Sequence, residues 1–162
     1  MTIAAGDRVP AATVFKMGDD GGPEPVSTED FFRGRRVVVF GLPGAFTRTC
    51  SARHLPGFVA QADAILARGV DEIACVSVND AMVMTAWGMA HDAPGKVTML
   101  SDGNCDLTDA MGLASDMSAK GYGRRSKRYA MIVDDGTVTH FAPETAPGLD
   151  VSSAEKVLEA LG

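Results

Sequence analysis

Three short apolar runs, RVVVFGL (36–42), EIACVSV (72–78) and VTMLS (97–101), alternate with stretches of helical periodicity. The first run is apolar at every other step and between, which suits a central strand covered on both faces. PGFVAQADAILARG (56–69) reads as a helix that stops at Gly69, with Pro56 kinking or restarting it. DAMVMTAWGMAH (80–91) reads as a second helix with Asp80 near its start. Strands and helices alternating in this order require parallel strands joined by right-handed crossovers. KRYAMIV (127–133) and TVTHFA (137–142) flank DDG (134–136), a hairpin signature because Asp-Gly tolerates positive φ. The expectation is therefore an α/β chain with a mixed central sheet flanked by helices.

The remaining segments decorate that plan. ATVFK (12–16) is strand-prone and GDDGGPEP (18–25) reads as a loop, so the sheet gains an N-terminal β extension. Ser27 to Asp30 resembles a capping box opening a short helix through Phe32. DLTDAMG (106–112) is a further short helix, and SSAEKVLEAL (152–161) closes the chain with Ser152 and Glu155 as a second capping box. With 162 residues, 46% hydrophobic and 22% charged, one domain over 1–162 with one substantial core is expected.

Charge and cysteine usage narrow the function classes. A formal net charge of −6 argues against nucleic acid as the main partner. The apolar runs are too short to span a bilayer, and MTIAAGDRVPAATVF has no signal-peptide pattern, so no membrane role is expected. Cys50, Cys75 and Cys105 are odd in number and widely spaced, which suits a reducing, cytoplasmic setting where cysteine is core filler or chemistry. No C-x-x-C occurs, and His54, His91 and His140 lack metal spacing; neither metal nor cofactor is expected.

The chemistry concentrates in PGAFTRTC (43–50), where a strand runs through a Pro-Gly turn into a helix. A cysteine in the first helical turn meets the positive end of the macrodipole and amides without intrahelical acceptors, which favours thiolate over thiol. Thr47 stands at the first position of what would be C-x-x-C in a dithiol redox protein. Its hydroxyl can donate to the sulfur or to an attacked oxygen and can accept a proton from an incoming hydroxyl. Threonine forms no disulfide, so the site suits attack on something that is not already one. His54 follows Cys50 by four residues and faces the same way, as a pocket-lining or structural group; a Cys–His hydrolase is a weaker reading because a base so near on one helix is constrained in aim. Cys75 reads as strand core, Cys105 as an incidental turn residue, RRSKR (124–128) as a solvated strand end, and the methionines of 80–91 as packing.

Pro43, Thr47 and Cys50 in P-x-x-x-T-x-x-C resemble the peroxiredoxin signature, and PGAFTRTCSARHLPGF (43–58) resembles the type-II, peroxiredoxin-5-like subfamily. CVSVNDAMVMTAW (75–87), KVTMLSDG (96–103) and RRSKRYAMIVDDG (124–136) extend the resemblance over nearly the whole chain. It implies a thioredoxin-like fold and a thiol peroxidase for hydrogen peroxide and small organic hydroperoxides. Cys50 is then the peroxidatic cysteine that becomes a sulfenic acid, Thr47 orients the peroxide, Pro43 shields the sulfur and Arg128 supplies a fixed cation. The amides of Thr49 and Cys50 are further peroxide donors, with Thr49 and His54 on the substrate side. A homodimer packed near the active-site loops is implied as well. Two departures matter. Arg48 stands where many relatives have proline, and GLDVSSAEK (148–156) lacks the C-terminal cysteine that resolves the sulfenic acid in some members. Recycling by glutathione with glutaredoxin, or by thioredoxin, is expected in place of that internal route. The competing class is a non-enzymatic thiol redox sensor or relay, which has no need of the full Pro43, Thr47 and Arg128 set.

Overall fold

Strand β3 (Arg36–Gly41) sends alternate side chains to two separate cores, and the rest of the fold is built outward from it. Val38 and Phe40 join one apolar cluster, Val37 and Val39 the other, and all four are buried. The structure, a computed structural model, describes residues 2–162. Strands β1 (Thr13–Met17), β2 (Pro23–Ser27), β4 (Glu72–Ser77), β5 (Thr98–Ser101), β8 (Tyr129–Asp134) and β9 (Thr137–Pro143) complete a seven-stranded sheet in the order β2-β1-β5-β4-β3-β8-β9. The pairs β3/β4 and β4/β5 are parallel, and β1/β2, β1/β5, β3/β8 and β8/β9 are antiparallel. The mixed sheet flanked by helices is the expected fold class, and the solved structures reported below share it.

Helices cover both faces. On the Phe40 side lie α2 (Leu55–Leu66), α3 (Ala81–Ala90) and α5 (Ala154–Leu161), which bring Leu55, Phe58, Ile65, Met84, Trp87 and Val157 into the core. Phe40 and Phe58 stack with ring centroids 4.0 Å apart. On the Val39 side, α1 (Thr28–Phe32) and α4 (Asp106–Ala110) close over Phe32, Leu107, Met131 and Val133. Each such side chain removed from water contributes about 1.5–3 kcal/mol. The starts of the helices follow their caps: Ser27 accepts from the Asp30 amide and Asp80 from the Val83 amide. The last helix starts one residue later than its sequence suggests. Ser153, not Ser152, accepts from the Lys156 amide, because the Ser152 hydroxyl is taken by Glu144.

Three further strands were not legible in the sequence. The expected loop 18–25 folds back at its end as β2, an edge strand where Pro23 and Pro25 are tolerated. A separate ribbon, β6 (Ala114–Asp116) with β7 (Arg124–Ser126), stands apart from the main sheet, so the first three residues of the expected solvated strand end RRSKR form a strand of their own.

Gly41 and Tyr129 are register partners across β3 and β8, and a Cβ at position 41 would lie 2.1 Å from the Tyr129 ring. The ring is fully buried over bare backbone. Gly41→Ala is therefore expected to cost at least about 1–3 kcal/mol through overpacking, with recovery when combined with Tyr129→Leu. Urea unfolding of the single and double variants measures both effects.

Candidate active site

The loop after β3 carries Pro43, Gly44, Ala45, Phe46 and Thr47 into the first helical turn at Arg48, and three other elements hold it in place. The Ala45 amide donates to Asn79 Oδ1 at 3.0 Å, and Asn79 Oδ1 also accepts from Ser77 Oγ at 2.6 Å. Arg125 of β7 donates through Nη1 to the Pro43 carbonyl at 3.0 Å and through Nε to the Tyr122 carbonyl at 2.9 Å. Gly44 has no room for a side chain, since a Cβ there would lie 2.3 Å from Arg125 Nη1. Trp87 of α3 donates to Ser51 Oγ at 3.0 Å.

Helix winding here is unusual. Cys50–His54 form a π-helical turn in which the Leu55 amide donates to the Cys50 carbonyl, before α2 begins with Pro56 in its first turn. Proline has no N–H and its ring clashes with the carbonyl four residues back, so the chain winds wider just before it. The expected restart at Pro56 is thus a change of helix type rather than a break.

Cys50 is fully buried in this turn, and its Sγ accepts from Arg128 Nη2 at 3.2 Å. Arg128 lies immediately before β8 and its carbonyl accepts from the Glu144 amide at 2.9 Å. The other guanidinium terminus, Nη1, is 2.9 Å from His54 Nδ1, and His54 Nε2 is 2.9 Å from the Ser152 carbonyl. Glu144 Oε2 accepts from the Asp150 amide, the Ser152 amide and the Ser152 hydroxyl at 2.8, 2.9 and 2.7 Å. Burial raises the Glu144 carboxyl, but these donors outweigh it and hold the group below its ordinary range. Thr47 and Thr49 flank the sulfur in sequence, in the loop and first turn, and Pro43 is half-buried at the loop's start.

Two expectations about named residues are corrected. His54 is not on the substrate side: it is buried with both ring nitrogens engaged, and burial followed by the Arg128 charge lowers its pKa from 6.5 to about 3. A nitrogen so committed cannot serve as a hydrolase base either. Thr47 Oγ1 donates to the Gly44 carbonyl at 2.6 Å, which leaves the hydroxyl its lone pairs but takes up its proton. The hydroxyl is therefore placed to accept but not to donate toward the sulfur or an attacked oxygen, and the first-turn amides lack intrahelical acceptors. Cys75 is buried in β4 opposite Phe40, and burial raises its thiol well above the ordinary value. Cys105, also buried, precedes α4 in a left-handed conformation, and amides of that helix donate to Asp102 instead.

Arg125, Asn79, Trp87 and the Glu144–Ser152 pair escaped sequence reasoning. Arg125 and Arg128 sat inside one basic run, and no local signal separates the two that turn inward from Arg124, which is exposed and pairs with Asp109 at 2.7 Å.

Known proteins share this arrangement of chain. The family model described as Redoxin matches residues 4–158. The chain is 48% identical over 164 residues to peroxiredoxin-2E-2, chloroplastic, of Oryza sativa subsp. japonica, across 99% of this chain and 73% of that protein. It is 42% identical over 159 residues to peroxiredoxin-2B of Arabidopsis thaliana, across 98% of each. Reduced Prx3 in complex with hydrogen peroxide from Vibrio vulnificus superposes with a TM-score of 0.95 at 46% identity, across 99% of this chain and 100% of that one.

The depressed His54 pKa has a stability consequence. Between pH 6.5 and about 3 the unfolded chain binds a proton at His54 that the folded chain refuses. Stability from this group is complete above pH 6.5 and is lost by about 1.4 kcal/mol per unit as pH falls through that window. From pH 6.5 to 4.5 the protein should lose about 2 kcal/mol more than its His54→Phe variant, read from urea midpoints across the pH series.

Proposed function

This chain belongs to the redoxin family and is a peroxiredoxin, a thiol-dependent peroxidase of antioxidant defence, and on that premise we propose that Cys50 is the sulfur that attacks the peroxide. The observation that carries this reading is the Arg128 Nη2 contact to a fully buried Cys50 Sγ at 3.2 Å. The Cys50 thiolate forms an S–O bond as the peroxide O–O bond breaks, giving a sulfenic acid and an alkoxide or hydroxide that takes its proton from water. Arg128, permanently charged, stabilises the negative charge first on sulfur and then on the departing oxygen. Thr47 Oγ accepts from the peroxide hydroxyl, and the amides of Thr49 and Cys50 donate to its oxygens. Pro43 limits access of water to the sulfur. Hydrogen peroxide and small organic hydroperoxides are the proposed substrates, supported by the peroxide held in the similar Prx3.

A thiol returns the sulfenic acid to the ground state, and we assign that role to glutathione with glutaredoxin, or to thioredoxin. The first thiol displaces water to form a mixed disulfide, and a second releases Cys50 as thiol. Residues 148–156 contain no cysteine, and Cys75 is a fully buried residue of a central strand, where a shift of its sulfur toward Cys50 would disturb the sheet's hydrogen bonds. Exposed Arg48 and Lys127 add positive charge near the site for glutathione's carboxylates. We propose a reducing, cytoplasmic setting, supported by three cysteines that are odd in number, widely spaced and without a C-x-x-C pair. The proposed homodimer is supported by Phe46, exposed on the active-site loop, and by a cavity of about 480 Å³ at Asn79 lined by Phe15, Pro23 and Met82; sedimentation at micromolar concentration tests it.

Peroxide consumption with each reductant supplied separately tests the reading. Cys50→Ser should abolish turnover, while Cys75→Ser/Cys105→Ser keeps most of it with glutathione and glutaredoxin. A main Cys50–Cys75 or Cys50–Cys105 disulfide after one equivalent of peroxide, with turnover lost in the double variant, overturns the one-cysteine cycle. Consumption of a single equivalent in the presence of reductant marks a sensor instead of an enzyme. Thr47→Val should lower kcat/KM by about 100-fold or more, and Thr47→Ser should retain much of the rate; equal rates would remove the hydroxyl from the mechanism.

A further inference from the structure

The ring nitrogens of His54 can be assigned from their partners. A guanidinium has donors only, so His54 Nδ1, 2.9 Å from Arg128 Nη1, must be bare and accepting. The ring proton then sits on Nε2 and donates to the Ser152 carbonyl at 2.9 Å. Glu144, by accepting from the amides of Asp150 and Ser152 and from the Ser152 hydroxyl, holds that carbonyl in place. The tautomer is thus set from a loop on the far side of the ring.

We propose that His54 is a positioning residue for peroxide reduction: it fixes Arg128 Nη1 so that Nη2 points at Cys50 Sγ. The guanidinium is a rigid planar fork, and pinning one terminus orients the other. Cys50 and His54 are the first and last residues of the π turn, and one guanidinium spans both. Protonation at Nδ1 would set N–H against N–H and push Arg128 away. Burial keeps the imidazole neutral down to about pH 3, so the acceptor is present throughout the working range. The ring also packs against Phe40 and Phe58, with centroids 5.0 and 5.6 Å away, and phenylalanine could fill that space. Packing alone therefore does not explain an acceptor nitrogen at this position.

This inference rests on Arg128 acting at Cys50, and the experiment separates the two. The rate of the first peroxide step is measured by stopped flow for His54→Asn, His54→Gln, His54→Phe and Arg128→Met, with thermal unfolding measured alongside. Asparagine carries an oxygen near the Nδ1 position and can still accept from Arg128. Glutamine reaches the Nε2 position and can still donate to Ser152, but leaves Arg128 without its acceptor. His54→Gln and His54→Phe should slow peroxide reduction by about 10- to 100-fold, the range for losing a hydrogen bond to a charged group, and His54→Asn should recover most of it. If asparagine and glutamine lose rate equally, or phenylalanine keeps the parent rate while Arg128→Met is slow, His54 has only a packing role and the inference fails. If Arg128→Met itself keeps the parent rate, the assignment of Arg128 fails and the inference with it. Should the phenylalanine variant not fold, the asparagine–glutamine comparison decides alone.

Discussion

A sulfur that is to carry charge while sealed from water needs a fixed counter-charge, and the Arg128–Cys50 contact meets that need. The two residues are 78 positions apart and meet because of sheet topology. β3 and β8 run antiparallel with Gly41 opposite Tyr129, so the chain leaving β3 toward Cys50 lies beside the chain entering β8 from Arg128. The bare backbone at Gly41 lets Tyr129 lie flat across the junction and seal it from the other face of the sheet.

Rigidity of the loop comes from the same economy of parts. Asn79, Arg125 and Trp87 arrive from the ends of β4, from the small β6/β7 ribbon and from α3, and each ties down a different atom between Pro43 and Ser51. The ribbon contributes little to either apolar core, yet it supplies the arginine that locks the Pro43 carbonyl. Its place in the fold is explained by that contact rather than by burial. A left-handed residue at Phe46, φ 62°, marks where the loop must reverse sharply between these ties.

Much of this was legible in the sequence, and the reason is local consistency. Buried strands such as RVVVFGL and EIACVSV are continuous apolar runs, and Asp80 and Ser27 announce their helices by capping chemistry that acts over three residues. The P-x-x-x-T-x-x-C spacing likewise compresses loop, helix mouth and nucleophile into eight residues. The illegible parts depend on distant partners. Ser152 satisfies the local pattern of a cap as well as Ser153 does, and only Glu144, from across a loop, decides between them. Arg125 and Arg124 are chemically identical, and strand alternation in β7 with the position of Pro43 sorts one inward and the other to Asp109. The π turn has a single local trace, Pro56, which is equally compatible with an ordinary helix start.

The prolines of β2 bear on how copies of this chain can associate. β2 is an outer strand of the main sheet, and two of its five residues, Pro23 and Pro25, have no amide hydrogen to offer. A neighbouring molecule therefore finds a broken row of donors and cannot prolong the sheet by adding its own strand in register. The opposite edge, β9, runs out at Pro143 and is bridged near its start by Arg8. Sheet-to-sheet growth is blunted at both margins, and encounters between folded molecules are steered toward side-chain surfaces, away from the backbone pairing that seeds fibrils.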